Sequence, residues 1–291
     1  MDEFTAKGAL QTGFDLIRRR PWLVLLGAAL LLAETIGFVV GRQEFMGWVR
    51  EGVDAGRTSD SFRGFLLPYT LAAALLSLVV TSVLWASAFR ALMRPSVRVP
   101  LSFGLEELSV FATRLIIQLV AAVLSTPLQM FLFSRFNALD ARVIVEVVMA
   151  ALGVLGLFWS AVASGWAFAT LQVAPFRCWT LARGRFWLLA GLVIGVAVVE
   201  RLADAAIHQG VLALGRNPFL APPVSTNPLQ PAGARLETVF QLPVLLQDAT
   251  YAVIGALVTA FVAGIVTSAY RASRAELQAA NFPAGSAAEP S

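Results

Sequence analysis

Five carboxylates stand inside long apolar runs of the chain: Glu34, Glu146, Glu200, Asp204 and Asp248. A charge held in hydrocarbon is costly, so each of these groups needs a partner or a wetted cavity. Glu200 and Asp204 are i,i+4 neighbours on one helical face, an unfavourable like-charged pair unless something neutralises it. His208 continues that face by one more turn. Glu34 follows Trp22, and Glu200 follows Trp187, by a rise of roughly 18–20 Å at helical spacing. Glu146 and Asp248 open their own apolar runs, so the acids are predicted to form one layer in the outer third of a bilayer, with none at the midplane. Arg142 and Arg201 fall at a similar depth. Such a layer suits binding of a cation, a proton or a polar head group. The same residues also suit inter-helix ion pairs at a depth where side chains reach the interface easily.

A second constellation lies between two apolar runs, in the segment APFRCWTLARGRFWLLAG from Ala174 to Gly191. It lacks the Gly-rich spacing and the Lys-Ser/Thr end that cradle a nucleotide phosphate. It reads instead as a cytoplasmic elbow. Phe176, Trp179 and Trp187 are expected in the membrane interface, with Arg177, Arg183 and Arg185 facing anionic head groups. Catalytic alternatives are thin. One cysteine, Cys178, and one histidine, His208, exclude an internal disulfide, a cysteine metal cluster and most His-based chemistry. No His-Glu-x-x-His, Gly-x-Ser-x-Gly, Walker or Cys-x-x-Cys motif is present. The reading is therefore non-enzymatic, with no metal and no cofactor. Gln118, Ser160, Ser164, Thr81 and Ser82, the triplet Ala150, Gly153 and Gly156, and the pair Gly191 and Gly195 read as helix-packing positions.

The elements that must carry these residues follow from composition. Of 291 residues, 58% are hydrophobic and 14% charged, against about one-quarter charged in soluble domains. Apolar runs of roughly twenty residues recur, enough to cross a bilayer as helices. The fold class is all-α, a polytopic bundle of six transmembrane helices over about 21–40, 65–88, 110–133, 143–169, 186–206 and 244–270. Residues 1–20 form an amphipathic cytoplasmic-surface helix, with Phe4, Leu10, Phe14 and Ile17 as its apolar side and Arg18, Arg19 and Arg20 at its end. Residues 21–272 form the bundle, and residues 273–291 a cytoplasmic tail whose Pro-containing end is unstructured. The N-terminus is not read as a cleavable signal, because acids precede the first run and no small-residue cleavage site follows it.

The connections differ. Residues 41–64 read as a polar amphipathic extension of the first span. Residues 210–237, with Pro218, Pro222, Pro223, Pro228 and Pro231, read as an extended outer loop. Thirteen basic residues fall on the side of the termini and nine on the other. The first group hugs the span ends, which predicts that both termini are cytoplasmic.

The spans also suggest three parallel two-helix hairpins. Ser87-Ala88-Phe89-Arg90-Ala91, Ala174-Pro175-Phe176-Arg177-Cys178 and Ser268-Ala269-Tyr270-Arg271-Ala272 each set an aromatic before an arginine near the end of an even span. Aromatic belts and cytoplasmic arginines give similar ends without any repeat.

The run Trp179-Thr180-Leu181-Ala182-Arg183-Gly184-Arg185-Phe186-Trp187 resembles a segment of bacterial six-span proteins, the membrane domain fused to some glycerophosphodiester phosphodiesterases and its stand-alone relatives. Arg185 takes a position usually held by Asn. The catalytic barrel of those enzymes would add about 250 residues, and none is present, so the resemblance implies a membrane module without enzyme activity. The leading expectation is a scaffold or accessory subunit for a membrane complex or lipid process. Its expected partners are anionic membrane lipids and, secondarily, another membrane protein, but no nucleic acid. The alternative is a small-solute, ion or lipid transporter that uses the acid layer.

Overall fold

A computed structural model describes residues 4–54, 59–94, 104–135, 138–215 and 242–281. Those residues are helical almost throughout: α1 (Ala6–Arg19), α2 (Pro21–Asp54), α3 (Ser59–Met93), α4 (Leu105–Arg135), α5 (Ala138–Thr170), α6 (Trp179–Ala182), α7 (Phe186–Gly215) and α8 (Leu242–Asn281). Six helices are long and apolar enough to cross a membrane, over Pro21–Phe38, Thr70–Met93, Leu105–Leu128, Ala151–Thr170, Phe186–Ile207 and Leu245–Glu276. A chain in lipid has no water to satisfy its backbone, so helices that bond internally are the stable solution for such runs. The protein is an all-α polytopic membrane protein, and its six spans match the apolar runs read from the sequence.

The first span continues as one helix to Asp54, in keeping with the reading of 41–64 as its extension. One boundary differs from the sequence reading. The last helix runs to Asn281, so residues 273–281 of the expected tail are helical. Both extensions are polar, and nothing in them breaks a helix that an apolar run has already nucleated. The 210–237 loop, with its prolines at 218–231, lies outside the described residues apart from its helical start, as do residues 282–291.

The chain divides into two compact units. One comprises Met1–Pro21, Ser82–Ala197 and Thr259–Ser291, and the other Trp22–Thr81 and Val198–Val258. The core of the first holds Phe89, Phe168, Leu181, Leu189, Val262, Ile265 and Val266, all fully buried. Close helix crossings make it compact. The Cα of Gly165 faces the side chain of Val266 where no Cβ would fit, with Phe89 beside it. In the second unit Ala28, Ala252 and Ala256 meet with Val24, Leu31 and Leu32 around them, and a Cβ on Gly255 would stand 3.2 Å from Leu31 Cδ1. Small residues at these contacts let helix backbones approach where lipid supplies no hydrophobic drive.

Helix α1 spans Ala6–Arg19, and its small-residue face is seated on the protein. Thr5 caps it by accepting from the Gly8 N–H at 3.1 Å. Ala9, Gly13 and Leu16 are its buried residues. Gly13 lies against Gly264 of α8, where a Cβ on Gly264 would stand 2.7 Å from Gly13 Cα. Thr12 and Ser268 share a hydroxyl hydrogen bond of 2.9 Å. Phe14, expected to enter the membrane surface, is 61% exposed and leans edge-on against Phe261 at 4.9 Å. The sequence reading weighed large apolar residues, whereas close contact between two helices favours glycine.

The three aromatic–arginine pairs do not share an environment. Phe89 and Arg90 are buried within α3. Phe176 and Arg177 are exposed in a non-helical turn. Arg271 lies in α8 and donates to the Leu92 carbonyl at 2.6 Å.

Candidate functional site

The elbow between α5 and α7 is built by local backbone rules. Helix α5 ends at Thr170, and Leu171 adopts φ 57°, a left-handed turn that stops a helix. Pro175 then anchors the loop. Its carbonyl accepts from Trp159 Nε1 at 2.9 Å and from the Cys178 thiol at 2.8 Å. Burial pushes the Cys178 thiol up to about 11. Helix α6 seats Leu181 and Ala182 in the core, and Gly184 at φ 77° turns the chain into α7.

Aromatic rings line this elbow. Phe158 meets Phe186 edge-on at 5.4 Å, Trp179 lies 5.7 Å from Phe186, and Trp159 lies 5.2 Å from Phe176. Trp179, Thr180, Ala182, Arg183, Gly184 and Phe186 enclose an open depression of about 450 Å³. It has an apolar wall, one guanidinium and no acid among its lining residues.

The elbow residues singled out from sequence part ways here. Trp179 and Arg183 line the depression. Arg177 is exposed but is not among the lining residues, and Trp187 is 84% exposed. Arg185 is engaged within the protein. It donates to Ser273 Oγ at 3.1 Å and forms an ion pair with Glu276, both on α8. An acid on the helical extension of α8 captures it, and that extension was read as tail.

The acid layer is also divided. Glu34, Glu200, Asp204 and Asp248 belong to one unit, and Glu146 falls in the other. The side chains of Glu146, Arg142 and His208 lie outside the described residues. Glu34 buries Oε2 without a hydrogen-bond partner. Asp204 has Arg201 at 3.7 Å, but Arg201 is 84% exposed, so the pair is weak. Tyr251 donates to the Asp204 backbone carbonyl at 3.3 Å and accepts from Gln247 at 3.2 Å.

One constellation was missed. Arg90 donates to Glu106 at 2.7 and 3.1 Å and pairs with Glu107, and Arg94 pairs with Glu106. Glu107 also accepts from the Gly104 N–H at 2.9 Å, as a third helical residue does when it closes a capping box. Arg90 and Arg94 each sit 5.9 Å over the Phe168 ring, and Arg114 sits 5.7 Å over Trp85. The signal available was i,i+4 arginines ending one helix and adjacent acids opening the next. They had been counted only for orientation or passed over.

Comparison with family models, curated proteins and solved structures finds no match. The likeness of 179–187 to phosphodiesterase-linked membrane domains thus rests on that segment alone.

Proposed function

We propose that the chain is a non-enzymatic membrane protein that scaffolds or assists a membrane complex or lipid process. In this reading it holds an anionic phospholipid at its elbow, with both termini cytoplasmic in a bacterial inner membrane. The observation that carries the reading is the depression beside Arg183. Trp179 and Phe186 offer an acyl-compatible wall, and Arg183 offers a charge among the lining residues, with Arg177 exposed in the same elbow. The basic residues at the span ends support that orientation. The test is native mass spectrometry after gentle extraction. Arg177→Ala with Arg183→Ala is expected to lower retention of phosphatidylglycerol by about tenfold, the loss of one to two charge-assisted contacts. Arg185→Ala alone leaves it unchanged, because that side chain serves Glu276. Equal retention by the double variant and the wild type rejects the site.

A second reading, transport of an ion or small solute, draws on Glu34. Its buried, unpartnered carboxylate oxygen is what a proton or cation site would present. If it is right, Glu34→Gln and Glu200→Gln abolish flux in proteoliposomes of a defined solute gradient while the protein stays folded. A folded, lipid-binding protein with no flux in the wild type removes this reading.

A further inference from the structure

Three guanidinium groups and two carboxylates gather around the aromatic row of Trp85, Phe89 and Phe168. Trp85 lies 5.7 Å from Phe89, and Phe89 lies 5.9 Å from Phe168. Arg90 and Arg94 take up Glu106 and Glu107, and the second acid also binds the Gly104 N–H. Arg114 is left over. Its Nε and Nη1 are buried without a hydrogen-bond partner, and no ion pair to it occurs among the described residues. Among the described residues its charge-stabilising neighbour is the Trp85 ring. A cation–π contact is worth less than the cost of leaving a buried charge without a counter-charge. The ring does not balance that charge, so the cluster lacks one anion.

We propose that Arg114, stacked by Trp85, binds the phosphodiester of a membrane phospholipid. Three observations select that class. A guanidinium covered on one face keeps its edge for a forked oxyanion, the geometry phosphate offers. Depth is the second. Arg114 follows Glu107 on α4 by about 10 Å of helical rise, and helical side chains lean back toward the helix start. Its charge therefore sits just beneath the ionic layer of Arg90, Arg94, Glu106 and Glu107, where head groups meet acyl chains. The third is access. Only 22% of the α4 span is buried, and Leu108, Gln118 and Leu119 on the flanking turns are exposed. An anion arriving from that side comes from the lipid.

The site is independent of the elbow, and its test is made in wild-type and Arg183→Ala backgrounds. Protein in detergent is supplied with phosphatidylglycerol, with a phosphate-free diglucosyl diacylglycerol, or with inorganic phosphate alone. Thermal shift and native mass spectrometry are read for the wild type, Arg114→Gln and Arg114→Lys. The expected result is one phosphatidylglycerol retained about tenfold more strongly by the wild type than by Arg114→Gln, with Arg114→Lys between them. The melting temperature should rise with phosphatidylglycerol only where Arg114 is present. A rise of equal size with inorganic phosphate supports the phosphate chemistry and assigns it to the free ion. Equal retention by Arg114→Gln and the wild type, or an equal rise with the glycolipid, overturns the proposal. If Arg114→Gln does not fold, the wild type is labelled with a phosphatidylglycerol carrying a photoreactive head group. Labelling of Trp85 or the 105–118 peptide supports the site, and its absence overturns it.

Discussion

Single side chains here show how burial decides chemistry. Cys178 sits beneath the elbow with its thiol donating to Pro175, and burial raises its pKa to about 11. The raised value keeps the neutral thiol, so the nucleophilic thiolate is scarce at neutral pH. Maleimide labelling of folded protein is expected to be slow at pH 7 and to quicken by about tenfold per pH unit on the way to pH 10. Rapid labelling at pH 7 would show an open elbow. Arg90 makes the opposite point. Its guanidinium is buried and holds two carboxylates, so Arg90→Ala strands Glu107 in the core. A loss of about 3–5 kcal/mol in unfolding free energy is expected, seen as a large drop in melting temperature in detergent. Arg19, paired with Asp15 at the surface, is expected to change little when replaced. The thiol's setting carries no signal in the sequence, and the Arg90 network shows there only as arginines ending one helix and acids opening the next. Sequence names the groups, but only folding brings residues 90 and 106 together.

At the level of helices, hydropathy was enough to find the spans and not enough to end them. Apolar composition marks residues that must leave water, so the six spans were readable. The polar extension 273–281 on α8 carries no such signal, and it supplies the Glu276 that takes Arg185. Which faces meet was equally hidden, because lipid and protein interior both accept Leu and Val. Glycine is the better guide. The Gly13–Gly264 crossing leaves no room for a side chain on either helix. Gly264→Leu is therefore expected to release α1, and limited proteolysis should then cut residues 6–19 at least tenfold faster, while circular dichroism keeps its helical signal. Unchanged protection of α1 would show that the crossing is not what holds it. Gly153, singled out with the same residue class, has open space around its Cα, so Gly153→Ala is expected to be tolerated.

For the molecule as a whole, orientation is the property the sequence argues most directly and the one most open to a simple measurement. Arginines at the span ends predict cytoplasmic termini. A cysteine introduced at Ser291 in a Cys178→Ser background is expected to react with a membrane-impermeant maleimide only after spheroplasts are opened. Reaction in intact spheroplasts would reverse the assignment and would place the elbow on the outside. One contact also constrains how the chain is made. The seat for α1 consists of residues 261–268 in the final helix. That seat follows α1 in the chain, so α1 docks there only after α8 has been made. Until then its glycine-bearing face is uncovered, so a chain truncated before α8 is marked by a loose N-terminus that proteases can find.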